Sequence, residues 1–137
     1  MADVIFWDTS ALVAATTRPE LRGRLPGGVT RAHALAELFS TLTGGWMERD
    51  GQRYKVGPDA AAALARAYAA KLRVVELDGP EVLAALDEAK SLGVTGGRIY
   101  DHLHATAARR EKATELLTTD RNDFTGLLPA TVTVTVL

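Results

Sequence analysis

The feature that most constrains this chain is the run Val4-Ile5-Phe6-Trp7, closed at once by Asp8-Thr9-Ser10. Four consecutive apolar residues suit a strand buried on both faces, as in parallel sheets. Asp, Thr and Ser are residues that cap a helix, so the run predicts a strand-to-helix corner at Asp8.

The rest of the sequence extends this pattern. Residues 31–43 place Leu35, Leu38, Phe39 and Leu42, and then Trp46, on one helical face, with Glu37, Ser40 and Thr41 opposite; Gly44-Gly45 weakens the helix beyond that point. The Ala-rich stretch from Pro58 to Lys71 favours a helix with Pro in its first turn, and Arg73 to Leu77 reads as a strand ended by Asp78-Gly79-Pro80. A helix over 80–91 carries Val82, Leu83, Leu86 and Ala89 and closes at Gly93; another runs from Arg98 to Lys112. Thr114 to Thr118 is a short strand, and residues 131–136 alternate with period two, as an edge strand would. Strands separated by helices need crossover connections. The expected fold is therefore a three-layer α/β/α sandwich around a mainly parallel sheet of about four to five strands, in which ligands bind beyond the carboxyl ends of the strands. At 137 residues the chain is expected to form one domain, 1–137.

Composition limits the chemistry. No cysteine is present, which excludes disulfides, thiolate zinc and a thiol nucleophile and leaves oxygen or imidazole to hold any metal, favouring a hard cation. No stretch approaches the roughly 20 apolar residues of a membrane span, and the N-terminal apolar run is too short for a signal peptide, so a cytoplasmic protein is expected. The net charge of −1 argues against a generic nucleic-acid binder. Setting five acids aside in a metal site, however, leaves 16 basic residues against 12 acidic ones. Three basic groups, Arg18/Arg22/Arg24/Arg31, Arg49/Arg53/Lys55 and Arg109/Arg110/Lys112, have the charge to follow a phosphate backbone, although a solvated surface explains any one of them as well.

Acids at strand ends are the functional signal. Asp8 follows the first strand, and Asp120 and Asp123 follow Leu116–Thr118. Clustered carboxylates repel one another unless a cation or protons neutralise them; a bound divalent ion would in turn activate water and orient a phosphodiester. Each acid also has a plain structural explanation. Asp8 or Ser10 caps a helix, Asp120 forms an Asx-turn with Asn122 nearby, and Glu37 sits on a solvated face. Asp101 lies on its helix opposite Ile99, Leu103 and Thr106, beside the small residues Ala105 and Ala108.

Together, Asp8-Thr9-Ser10-Ala11-Leu12 after an apolar strand, Ala36-Glu37 on a helix, Tyr100 to Ala107, and Leu116 to Phe124 resemble the PIN-domain family, more narrowly the VapC-type ribonuclease toxins of bacterial toxin–antitoxin pairs. The blocks span nearly the whole chain in order. The resemblance implies a Mg²⁺- or Mn²⁺-dependent endoribonuclease, with Asp8, Glu37, Asp101 and Asp120 as catalytic, metal-binding acids and Asp123 as a fifth metal ligand. Thr9 and Thr118 fall where the family places supporting hydroxyls. It also implies an RNA substrate, a homodimer and an antitoxin partner. Asp120, nearer the strand end, is preferred over Asp123. His102 and His104 are read as structural, His33 has no assigned role, and Trp7, Phe39, Trp46 and Phe124 are read as core or near-core aromatics. Two alternatives stay open: a PIN-like RNA-binding module without catalysis, and another Mg²⁺-dependent α/β phosphohydrolase. A haloacid-dehalogenase-like phosphatase would need an acid at position 10, which is Ser. A receiver domain would place its acceptor Asp at a strand end, whereas Asp101 falls in a predicted helix.

Overall fold

The computed structural model describes residues 3–137; Met1 and Ala2, which open the N-terminal stretch considered above, lie outside the described residues. In chain order the elements are β1 (Ile5–Trp7), α1 (Thr9–Thr17), a 3-10 helix (Pro19–Arg24), β2 (Val29–Arg31), α2 (Ala32–Gly44), β3 (Met47–Arg49), β4 (Gln52–Tyr54), α3 (Pro58–Ala69), β5 (Arg73–Val75), α4 (Gly79–Leu92), α5 (Arg98–Arg110), β6 (Glu115–Thr118), a 3-10 turn (Arg121–Phe124) and β7 (Thr133–Val136). The main sheet has five strands in the order β5-β2-β1-β6-β7. All its pairings are parallel, with Phe6 opposite both Val29 and Leu116.

Period-two alternation divides the core between two layers of helices. Phe6 and Leu116 face one side and pack with Ala89 of α4 and Ala105 and Ala108 of α5. Their neighbours Trp7 and Leu117 face the other side, against Leu12 of α1, Leu38 and Leu42 of α2, and Ala61 and Tyr68 of α3. The expected α/β/α sandwich forms, with its sheet at the upper end of the expected strand number. Gly28 lets the Trp7 indole approach the backbone: a Cβ there would lie 2.8 Å from Trp7 Nε1 and 3.0 Å from Leu72 Cδ2.

Besides the short 3-10 segments, β2 and a β-hairpin are additional to the elements the sequence predicted. β2, beside β1, is a three-residue strand of Val29, Thr30 and Arg31, all buried. It shows no apolar run because its polar members find partners: the Thr30 hydroxyl donates to the Trp7 carbonyl at 2.8 Å, and Arg31 Nε to Glu76 Oε1 at 2.9 Å. Arg31 thus precedes the helix instead of starting it. The second is the antiparallel β3–β4 hairpin, turned by Asp50 and Gly51, both at positive φ. It corrects the reading of Trp46: α2 stops at Gly44, Gly45 is extended, and Trp46 leaves the helical face and is 57% exposed. Phe39 is also partly exposed, at 37%, whereas Trp7 and Phe124 are buried as expected. No helix among the described residues is long and apolar enough to cross a membrane.

Candidate active site

Strands β1 and β6 end side by side, and α1, α2 and α5 converge above them on an open cavity of about 470 Å³. Asp8, Glu37, Asp101 and Asp123 all line it, with Thr9 and His104. Asp8 is where the strand must turn into a helix. Its Oδ1 accepts the Ala11 backbone N–H at 2.8 Å, capping α1, and the Ser10 hydroxyl at 2.7 Å. One carboxylate thus has both the capping role and a place in the cavity. Burial pushes its pKa up, against the hydroxyls of Thr118 and Ser10 and the Ala11 N–H, which favour the anion.

Glu37, on the inner face of α2, has the opposite environment. Thr9 donates its hydroxyl to Glu37 Oε1 at 2.8 Å, and His104 Nε2 lies 3.5 Å from the same oxygen. His104, and then Thr9, hold the carboxyl down to about 2 against the effect of burial. Asp101, in the first turn of α5, is pushed up to about 6, first by burial and then by the charge of Asp123, with Asp8 adding to it. Asp123 is raised too, by burial and by the charges of Asp120 and Asp8. The cavity therefore holds three aspartates that oppose one another's ionisation and one glutamate fixed as an anion.

The remaining predicted residues are arranged around this set. Asp120 is exposed, does not line the cavity, and spends its Oδ1 on the Asn122 N–H at 2.9 Å, as the N-cap of the 3-10 turn that carries Asp123. Thr118 is fully buried, with its hydroxyl 3.2 Å from that of Ser10 and accepting the Asp120 N–H at 3.2 Å. Ser10 in turn accepts the Thr119 N–H at 2.9 Å, tying Asp8 to the end of β6.

The histidines separate. His102 is fully buried, with Nε2 3.1 Å from the Ala85 carbonyl, as a structural histidine would be. His104 lines the cavity against Glu37, which sequence reasoning did not anticipate; its position three residues after Asp101 was the available signal. His33 stacks on Tyr100 at the rim, with Nε2 3.6 Å from Glu37.

An all-oxygen set of mutually repelling carboxylates fits a hard divalent cation, whose charge would relieve the repulsion. Among the described residues no three His, Asp or Glu side chains are gathered closely enough to hold an ion, so the acids share the cavity without converging.

The sequence matches the family profile of the PIN domain over residues 5–126. The chain belongs to the PIN-domain family. Solved structures similar to this PIN domain include Mycobacterium tuberculosis VapC20, a sarcin–ricin-loop-cleaving toxin, at 18% identity and TM-score 0.67, covering 91% of this chain and 96% of that one. VapBC-1 of nontypeable Haemophilus influenzae aligns at 16% identity and TM-score 0.65, covering 97% of each chain. VapBC2 of Rickettsia felis, solved bound to a DNA fragment from its promoter, aligns at 15% identity and TM-score 0.63, covering 96% of this chain and 97% of that one. At these identities the likeness is one of fold. No curated protein matches the sequence.

Proposed function

We propose that this PIN domain, acting as one unit over residues 1–137, is an endoribonuclease that hydrolyses RNA phosphodiester bonds with Mg²⁺ or Mn²⁺, and is the toxin of a type II toxin–antitoxin pair. The observation that carries the reading is that Asp8, Glu37, Asp101 and Asp123 all line one cavity at the carboxyl edge of a parallel sheet. The VapC and VapBC neighbours support the toxin role and an antitoxin partner, and assembly as a homodimer is part of the same proposal.

Asp8, Asp101 and Asp123 are the acids that would hold the cation, which would have to draw them together, since they line one cavity without converging. In this reading Asp123 takes the place that sequence position suggested for Asp120, because Asp123 lines the cavity and Asp120 does not. When bound, a divalent ion makes water a stronger nucleophile and balances the charge that grows on the phosphate. Asp101 must shed any proton to bind it, so affinity rises with pH through about 6. Glu37, held near 2, is too weak a base to take a proton and serves as a fixed negative charge. Thr9 and His104 orient it, while Ser10 and Thr118 orient Asp8. Arg18, on the cavity wall, can hold a flanking phosphate.

The test is cleavage of a mixed tRNA and rRNA pool by the purified protein with Mg²⁺ or Mn²⁺, beside EDTA and Asp101→Asn controls prepared identically. Metal-dependent cutting that the variant lacks is expected. Equal cutting by the variant would remove Asp101 from the site, and no cutting by either protein would exclude a general ribonuclease.

A further inference from the structure

The β3–β4 hairpin stands apart from the main sheet and has two dissimilar faces. Its register pairs Met47 with Tyr54 and Glu48 with Arg53. By strand alternation Met47 points inward, where it packs on the core around Trp7 and Leu38, while Trp46 emerges on the outer side. The indole is 57% exposed, with the Arg53 guanidinium 5.1 Å and the Lys55 ammonium 5.0 Å from its ring centroid.

The arm's cations are also free of acids from elsewhere in the fold. Elsewhere Arg24 pairs with Glu115 at 2.7 Å, Arg31 with Glu76 at 2.9 Å, Arg109 with Glu88 at 2.6 Å and Arg110 with Glu81 at 2.8 Å, and Arg73 pairs with Glu111. Among the described residues Arg53 and Lys55 form no ion pair, and Arg49 has only a 3.9 Å contact with its neighbour Asp50. Of the three basic groups in the sequence, this is the one in which no arginine is taken by an acid outside its own hairpin.

Position links the arm to the cavity. Glu37 and Thr41 of α2 line the cavity, and the helix ends at Gly44, immediately before the arm. From Thr41 to Gly45 is about one helical turn, or roughly 6 Å of rise.

We propose that the hairpin is a single-strand RNA subsite. In it Trp46 stacks an unpaired base of the strand leaving the cavity past Thr41, and Arg53 and Lys55 hold the adjoining phosphates. The proposal rests on the reading of this chain as a ribonuclease. An exposed aromatic flanked by unpaired cations suits an oligonucleotide, since every base offers a π face and every linkage a negative charge. A protein partner would instead call for a continuous apolar surface, and here the apolar Met47 is already packed inward.

The experiment uses the full chain and a labelled oligoadenylate of about twelve nucleotides. Binding is measured in EDTA for the wild type, Trp46→Ala, Trp46→Phe and the Arg53→Ala/Lys55→Ala pair, and cleavage is measured in Mn²⁺. The expected results are about tenfold weaker binding for Trp46→Ala, near-complete rescue by Trp46→Phe, and a salt slope flatter by about 1.4 for the double variant. Quenching of the exposed indole by RNA is expected too, because Trp7 is fully buried. In cleavage, Trp46→Ala should raise KM and leave kcat unchanged. Binding and salt dependence equal to wild type in both alanine variants would overturn the arm while leaving the nuclease reading intact. If the wild type binds through Trp46 but cuts neither the oligoadenylate nor the tRNA and rRNA pool, the arm stands and a general ribonuclease is excluded.

Discussion

Arg31 directs its Nη1 at Nδ1 of His104, 3.4 Å away, between two residues each 4% exposed. A guanidinium only donates, so this contact assigns the lone pair to Nδ1 and the ring hydrogen to Nε2, the nitrogen facing Glu37. Glu76, bonded to Arg31 Nε at 2.9 Å, fixes the guanidinium. A chain of four residues, Glu76–Arg31–His104–Glu37, thus runs from the edge of the sheet to the cavity.

Glutamine can keep the end of that chain that touches Glu37, because its terminal amide N–H reaches about as far as Nε2 does. His104→Leu should therefore lower kcat/KM by about tenfold or more, the usual effect of removing a partner that orients a site carboxylate. His104→Gln should recover most of the loss. Steady-state cleavage of one RNA by both variants, with circular dichroism as a fold check, decides the matter; equal activity in all three proteins would show that the contact positions nothing.

The raised aspartates make the metal-free protein sensitive to pH in a definite direction. Asp101 binds its proton more tightly folded, near 6, than unfolded, near 3.8. Its contribution to stability is complete below the unfolded value and is lost as pH rises through about 6. In EDTA the Tm should fall between pH 5 and 7.5, and Asp101→Asn should flatten that fall. Mn²⁺ at pH 7.5 should restore the wild-type Tm and have little effect on the variant.

Asp120 and Asp123 can be separated by their amides. Asn is as good a cap as Asp, so Asp120→Asn keeps the 3-10 turn and removes only an exposed charge, leaving kcat/KM within about threefold. Asp123→Asn removes a cavity acid and should cost more than the roughly tenfold expected of an outer partner. Mn²⁺ titration by calorimetry should follow the same order, and the reverse order would return the ligand role to Asp120.

Gly28→Ala tests the packing of the sheet against Trp7. The added methyl would meet Trp7 Nε1 at 2.8 Å and Leu72 Cδ2 at 3.0 Å, and the indole, fully buried, has nowhere to retreat. Overpacking of this kind costs about 1–3 kcal/mol. Urea unfolding should show a lower midpoint with an unchanged slope.

Legibility in the sequence followed the length of the pattern. β1, α3, α4, α5, β6 and β7 each carry an apolar run, a period or a terminator of their own, and the corner at Asp8 appears as a change from apolar residues to capping residues. β2 was not legible, because three residues with two polar members carry no period; what buries them is supplied by Trp7 and Glu76, far along the chain. The hairpin did carry a local signal in Asp50-Gly51, but the apolar spacing ending at Trp46 extended the helix face past Gly44 and competed with it. The acids could be read as a set because they close strands or begin turns. The choice between Asp120 and Asp123 depends on which one caps the 3-10 turn, and the role of His104 on a ring orientation set by Arg31; neither is encoded in spacing.

The pairing of β1 with β6 also sets when the site can exist during synthesis. The hydroxyls of Ser10 and Thr118, 3.2 Å apart, come from positions separated by 108 residues. A ribosome adding roughly 5–20 residues per second releases Asp8 and Glu37 seconds before Asp101, Thr118 and Asp123. Throughout that interval the nascent chain carries half an acid set and an unpaired central strand edge. A chain whose proposed substrate is RNA is thus unarmed while still attached to the most RNA-rich machine in the cell, and becomes complete only as its last strands dock.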